Sequence, residues 1–92
     1  MRIDFTFRHM DSTPALRDHA TAKIEHLEHY FDRVQEVHVV FHREKREHVT
    51  EVTVHSPGEV FKASARTDDM YSSVDSVIHK LERHLAKRKD LI

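Results

Sequence analysis

Basic side chains concentrate near the end of the sequence, where they could bind phosphate groups. Five of them fall within ten residues: Lys80, Arg83, Lys87, Arg88 and Lys89. On a helix with about 100° per residue, Lys80, Arg83 and Lys87 share one band, which lies roughly 120° from the apolar stripe. The same band contains His84, Ser73 and Ser76. The spacing therefore predicts a basic patch on the last helix of the protein.

A structural explanation competes with phosphate binding, because cations near the C-terminal end of a helix also stabilise the helix dipole. Each such cation contributes about 0.3 to 1 kcal/mol. The dipole explains the run from Lys87 to Lys89 well. It explains Lys80 and Arg83 less well, since both lie more than about two turns before the end. Spacing alone leaves the two interpretations open.

The overall charge does not identify a polyanionic partner. The chain has 15 Lys and Arg against 16 Asp and Glu, for a formal net charge of -1. Residues 80–89 carry five basic side chains and one acidic one, a net +4, so the remaining residues carry -5. The charge is thus unevenly distributed along the chain.

Length and composition indicate one small domain, spanning residues 1–92. The absence of cysteine excludes disulfides, thiolate zinc sites and a cysteine nucleophile. The first residues alternate in polarity where a signal peptide needs an apolar run, and no apolar run is long enough to span a membrane. We therefore expect a cytoplasmic protein with no membrane association.

An enzymatic function is not supported by the motifs present. Gly58 is the single glycine, which excludes a phosphate-cradling P-loop and a dinucleotide-binding fingerprint. No serine lies in a nucleophile-elbow context. Asp68 and Asp69 are adjacent carboxylates, but helix capping explains them more simply than acid-base catalysis. We predict that the protein is not an enzyme and requires no cofactor.

Ten histidines are the main alternative source of chemistry. His38, His42 and His55 are predicted to lie on the open face of a sheet near Glu51. Imidazole binds divalent metals, but no recognised ligand spacing appears, and we predict no metal site. Histidines on a surface that faces RNA would gain positive charge as the pH falls. A metal-binding or protein-interaction module that uses this open face remains an alternative function.

Apolar periodicity predicts four strands and two helices. The strands place one row of apolar side chains inward: Ile3, Phe5 and Phe7; Val37, Val39 and Phe41; Val52 and Val54; Phe61, Ala63 and Ala65. The first helix should begin at Thr13 and Pro14, end near Tyr30 to Asp32, and carry the stripe Leu16, Ala20, Ile24, Leu27 and Phe31. The second should be capped by Asp68 or Asp69, with the stripe Met70, Val74, Val77, Leu81 and Leu85.

One apolar face for each strand and one apolar stripe for each helix predict an α+β fold. The order is β-α-β-β-β-α, with a four-stranded mixed sheet and both helices packed on one face. A right-handed crossover makes the first two strands parallel. The predicted core contains Phe5, Phe7, Leu27, Phe41, Phe61, Met70, Val74, Leu81 and Leu85.

Three segments carry a resemblance to a known family. The stretch "DMYSSVDSVIHKLERHLAKRKD" resembles the signature of the ribosome hibernation promoting factor family, also called the ribosome-associated inhibitor or sigma-54 modulation family. "TPALRDHATAKIEHLEHYFDR" and "VHVVFHREKREH" extend the similarity to nearly all of the chain. The chain departs from the signature at five positions: Ser72 and Ser73 replace alanines, His79 replaces an acid, His84 replaces a glutamine and Arg88 replaces a histidine. None of these changes removes a basic position.

The resemblance implies a fold similar to a double-stranded RNA-binding domain with an added first strand. Members of the family bind the small ribosomal subunit and its rRNA in the channel used by mRNA and tRNA, and they inhibit translation in stationary phase or stress. Short members, which this chain resembles, act with a separate ribosome modulation factor to form inactive 100S ribosome dimers. We expect a monomer off the ribosome. The expected RNA-binding residues are Lys80, Arg83, His84, Lys87, Arg88, Lys89, Lys23, Lys45 and Arg46.

Overall fold

The computed structural model describes residues 1–27 and 33–89, and for residues 87–89 it describes the backbone alone. Its elements are β1 (Arg2–Phe7), α1 (Pro14–Leu27), β2 (Glu36–Glu44), β3 (Glu47–Ser56), β4 (Glu59–Thr67) and α2 (Met70–Lys89). The predicted element order is confirmed. The predicted end of the first helix, and Phe31 in its stripe, lie outside the described residues. Among the described residues, no helix is both long and apolar enough to cross a membrane.

The four strands form one mixed sheet in the order β1-β2-β3-β4, as predicted. β1 pairs with β2 in parallel because α1 carries the chain back across the sheet, whereas two hairpins make the other pairs antiparallel. Gly58, with φ 78, supplies the positive backbone angle in the turn between β3 and β4. β1 and β4 are therefore the two edge strands.

Both helices cover the same face of the sheet, and the core lies between the layers. The helix stripes are buried as predicted: Leu16, Ala20, Ile24 and Leu27 on α1, and Met70, Val74, Val77, Leu81 and Leu85 on α2. Phe41 is fully buried and Phe61 is 9% exposed. The buried methyl group of Ala65 leaves room for α2 to approach β4 closely.

Phe5 and Phe7 are less buried than the rest of the predicted core, because β1 is an edge strand. Both rings still pack against Phe41, with centroid separations of 6.1 Å for Phe5 and 4.9 Å for Phe7. The guanidinium carbon of Arg17 lies 5.5 Å from the centroid of the Phe5 ring. A cation thus covers the side of Phe5 that apolar packing leaves open.

One predicted surface residue is buried. Ser73 was expected in the exposed polar band of the last helix, but it is 0% exposed, so that expectation is wrong. The side of α2 that carries Ser73 packs onto β3, where Thr50 is also fully buried. The two hydroxyl oxygens lie 2.6 Å apart, and the Ser73 hydroxyl donates to the Met70 carbonyl at 2.7 Å. Thr50 therefore donates to Ser73, and both buried hydroxyls are satisfied.

Candidate nucleic-acid interface

The first turn of α2 determines which residues the helix presents to solvent. Of the two predicted capping residues, Asp69 is the N-cap, since its carbonyl accepts the backbone N–H of Ser73 at 3.0 Å. Its Oδ2 accepts the backbone N–H and the hydroxyl of Ser72, both at 3.0 Å. These hydrogen bonds, the backbone one first, lower the pKa of Asp69 below its ordinary value.

The side of α2 nearest β4 carries three of the predicted RNA-binding residues. We call Lys80, Arg83 and His84 the basic flank; all three are exposed. The Lys80 ammonium donates to the Ser64 carbonyl on β4 at 2.7 Å. The His84 ring meets the Phe61 ring edge-on, with centroids 5.0 Å apart. The structure therefore brings these three residues together beside the edge strand.

The remaining basic residues of the last helix extend beyond the basic flank. The α2 backbone continues to Lys89, and four residues of helix place Lys87 about 6 Å further along the axis than Arg83. The side chains of Lys87, Arg88 and Lys89 lie outside the described part of the chain. Their predicted contribution to the patch stays a prediction.

The side of α2 nearest α1 has the opposite charge. We call Asp75 and Glu82 the acidic flank. Asp75 Oδ1 lies 2.8 Å from His19 Nε2 and 3.9 Å from the Lys23 ammonium, and both partners lie on α1. Lys23 was predicted to bind RNA, but the structure places it beside this carboxylate and does not bring it to the basic flank.

Lys45 and Arg46 lie at the opposite end of the sheet from the end of α2. They form the turn between β2 and β3, in which Lys45 has a positive φ of 57°. α2 begins at this end, just after β4, and runs for 20 residues, about 30 Å, toward the other end. The basic flank starts at Lys80, ten residues into α2, so it lies about 15 to 20 Å along the helix axis from the end that carries Lys45 and Arg46.

A further exposed cation lies on the edge strand that the basic flank adjoins. Lys62 is exposed on β4, two residues before Ser64, and follows Phe61, which contacts His84. The alternation of β4 that places Phe61 inward also places Lys62 outward, but Lys62 is not among the predicted RNA-binding residues. Lys62 therefore faces the open side of the sheet, across the edge strand from the basic flank.

The open face of the sheet carries histidines in contact with carboxylates, as predicted. His42 Nε2 lies 2.7 Å from Glu51 Oε2, and the His38 and His55 rings meet edge-on at 5.4 Å. Arg66 and Glu44 form an ion pair on the same face. Within residues 1–27 and 33–89, no three histidines or carboxylates are placed to hold one metal ion. The contacts in this face are therefore hydrogen bonds and ion pairs among side chains, several of which share a member such as His42 or His38.

Comparison with solved structures identifies the class of fold. The chain superimposes on a ribosomal subunit interface protein from Coxiella burnetii with a TM-score of 0.91 and 36% identity, covering 98% of this chain and 99% of the other. The N-terminal domain of Protein Y from Thermus thermophilus gives a TM-score of 0.85 and 25% identity, covering 95% and 98%. The architecture is that of the ribosomal interface proteins.

Sequence comparison then identifies the family. Residues 3–92 match the model for the sigma 54 modulation protein / S30EA ribosomal protein family. The ribosome hibernation promoting factor of Escherichia coli K12 is 43% identical over 90 residues, which cover 98% of this chain and 95% of that protein. The factor from Azotobacter vinelandii is 38% identical, with 98% and 84% covered. The chain belongs to the sigma 54 modulation protein / S30EA ribosomal protein family, and the predicted resemblance is confirmed.

Proposed function

We propose that the protein is a ribosome hibernation factor. It binds the rRNA of the small ribosomal subunit in the channel used by mRNA and tRNA, inhibits translation in stationary phase or stress, and promotes or stabilises inactive 100S dimers. Family membership supports the ribosome as the partner, since the relatives are named for ribosome hibernation and for the subunit interface.

The observation that carries the proposal is the exposed charge of the basic flank. Arg83 is exposed and, among the residues that the structure describes, has no carboxylate partner. The nearest acid in the sequence, Glu82, turns toward the groove beside α1, where it lines a concave surface. Phosphate oxygens can therefore approach Arg83 without displacing an existing ion pair.

Lys80 can bind phosphate while it keeps its contact with the sheet. An ammonium group has three donors, and the Ser64 carbonyl uses one of them. That hydrogen bond also restricts the lysine side chain, which reduces the conformational entropy lost when phosphate binds. We assign Lys80 and Arg83 as the central phosphate contacts, and Lys87, Arg88 and Lys89 as their extension along the helix.

The proposed mechanism is occupation of a site, with no covalent chemistry. α2 is held on the sheet by its buried stripe, so the basic flank is a rigid surface that needs no ordering on binding. Lys45 and Arg46, about 15 to 20 Å away along the axis of α2, would contact a different stretch of rRNA. A protein bound at both ends would exclude mRNA and tRNA from the channel.

Competition tests this function. Purified protein and small subunits are sedimented together with increasing initiator tRNA and mRNA, and the protein in the pellet is measured. We expect tRNA and mRNA to displace the protein, because all three occupy one channel. Binding that these ligands leave unchanged would place the protein elsewhere on the ribosome. Sucrose gradients with and without ribosome modulation factor test whether 100S dimers require both factors.

A further inference from the structure

A groove between the two helices is separate from the basic flank. It has a volume of about 510 Å³, within the range of small-molecule sites. Ala22 of α1 and Ile78 of α2 supply apolar surface to it, and Ile78 is 4% exposed. An apolar strip between two helices is a suitable surface for a flat ring.

The polar groups that line the groove differ in whether they are already paired; they are Lys23 and His26 of α1 and Asp75, His79 and Glu82 of α2. Asp75 accepts from His19 and lies near Lys23, as described above. Glu82 is half-buried and, within the described part of the chain, has no hydrogen-bond or ion-pair partner. Its carboxylate oxygens are therefore available to accept hydrogen bonds from a ligand.

The chemistry of Glu82 restricts the ligand. The Glu82 carboxylate repels phosphate and accepts N–H donors, so its end of the groove suits a base edge better than the RNA backbone. Lys23, which also lines the groove, lies at the other end beside Asp75, about two helix turns away. Adenine, cytosine and guanine present an exocyclic amino group, and carboxylates accept from such groups in base recognition. Single-stranded RNA is recognised mainly through unstacked bases of this kind.

We propose that the groove between α1 and α2 receives one unpaired, amino-bearing base of the bound RNA, with Glu82 as the hydrogen-bond acceptor. The proposal rests on the proposed function, which brings RNA to α2. Arg83 and Glu82 are consecutive on α2 and point about 100° apart around its axis, so a nucleotide whose phosphate contacts Arg83 reaches the groove by laying its base across the outer face of the helix. The groove then contributes base selectivity, and the basic flank contributes charge.

The first test uses short RNA and does not depend on the ribosome. The methyl signals of Ala22 and Ile78 are followed by NMR while hexacytidylate, hexaadenylate or hexauridylate is added. We expect cytidine and adenosine hexamers to shift these signals, and the uridine hexamer, which lacks amino groups, to shift them much less. Equal shifts with all three, or no shifts, would overturn the proposal. So would larger shifts with hexa-arginine, which would indicate a basic protein segment.

The second test compares two changes of the same chemistry. Glu82→Gln removes the carboxylate in the groove, and Glu25→Gln removes an exposed carboxylate of α1 that does not line it. We expect Glu82→Gln to weaken ribosome binding by up to about tenfold, because the amide oxygen of glutamine is a weaker acceptor for an amino group than the carboxylate. The salt dependence should stay unchanged, because no counterion is released at a base edge. Glu25→Gln should bind as tightly as the parent or slightly more tightly.

The two acid variants should change ribosome binding in the same direction if Glu82 is only a solvated acid. Removing an acid near RNA would then improve binding in both, and equal behaviour of the two would overturn the proposal. Thermal melts establish that each variant is folded. If the parent does not bind ribosomes, the proposed function fails, while the hexamer titrations still decide whether the groove binds a base.

Discussion

The two sides of α2 differ in charge and in what they contact. The basic flank adjoins an edge strand, where Lys80 meets a backbone carbonyl and Arg83 faces solvent. The acidic flank adjoins α1, where His19 and Lys23 approach Asp75. A carbonyl carries no net charge to offset that of a lysine, whereas a nearby carboxylate offsets part of it. The number of cations on a helix therefore says less about phosphate binding than the groups that each cation meets.

The largest effect should come from Leu81, which is 1% exposed and anchors the helix between its two flanks. Leu81→Ala should lower the free energy of unfolding by about 2 to 5 kcal/mol, because it removes buried methyl groups and leaves a cavity. Urea denaturation measures the loss.

The matched control for Leu81→Ala is Val60→Ala on the edge strand, where the side chain is 54% exposed. That change should stay within about 0.5 kcal/mol of the parent. If the two variants were equally stable, the helix would not be held by its stripe, and neither flank would have a fixed orientation.

The sequence predicts the layers of the fold well because apolar periodicity reports burial directly. The stripe from Met70 to Leu85 and the alternation of the strands are both confirmed. Ser73 shows that periodicity alone does not predict every buried residue. A helical wheel places it among polar residues, but only the tertiary structure reveals that Thr50 on β3 meets it with a hydroxyl group.

The predicted site was harder to derive, because spacing along one helix cannot show what a neighbouring element contributes. The sequence groups Lys80 with Arg83 and His84, and the structure agrees on their common side. Lys23 and Lys45 look equally basic in sequence. Their different surroundings follow from the packing of α1 beside α2 and from the position of a hairpin, which periodicity does not specify.

The next largest effect should distinguish the two flanks directly. Arg83→Glu and Lys23→Glu make the same change in charge, one on the basic flank and one beside Asp75. We expect Arg83→Glu to weaken ribosome binding more than Lys23→Glu does. It should also flatten the salt dependence of binding, because log affinity falls with log salt by about 0.7 to 0.9 per phosphate contacted. Five contacts would give a slope of about -4. Co-sedimentation over a salt series measures both.

Thermal stability separates RNA binding from a purely structural role of the basic flank. An exposed side chain contributes little to folding, so Arg83→Glu should leave the melting temperature nearly unchanged. A helix-dipole role alone predicts the reverse order, with stability reduced and binding retained. The triple variant Lys80→Ala, Arg83→Ala, Lys87→Ala provides a stricter test: if it sedimented with ribosomes as the parent does at the same salt, the phosphate contacts would be wrongly assigned.

The smallest effect should come from Asp69, which begins the helix and so orients both flanks equally. Its pKa is lowered from 3.8 by the hydrogen bonds from Ser72, so its charged form stabilises the folded state. This stabilisation is complete above the ordinary pKa and is lost as the pH falls through the lowered one. Asp69→Ala should therefore reduce the melting temperature at neutral pH, and the difference from the parent should shrink in acid.

The control is Asp69→Asn, which can still cap the helix but cannot titrate. At neutral pH its melting temperature should lie between those of the parent and Asp69→Ala, and it should approach that of the parent as the aspartate protonates. If the melting temperatures of the parent and Asp69→Ala differed by the same amount at every pH, the charge of the cap would not stabilise α2. In either case the relative ribosome affinities of Arg83→Glu and Lys23→Glu should keep their order, since a cap acts on the whole helix and favours neither flank.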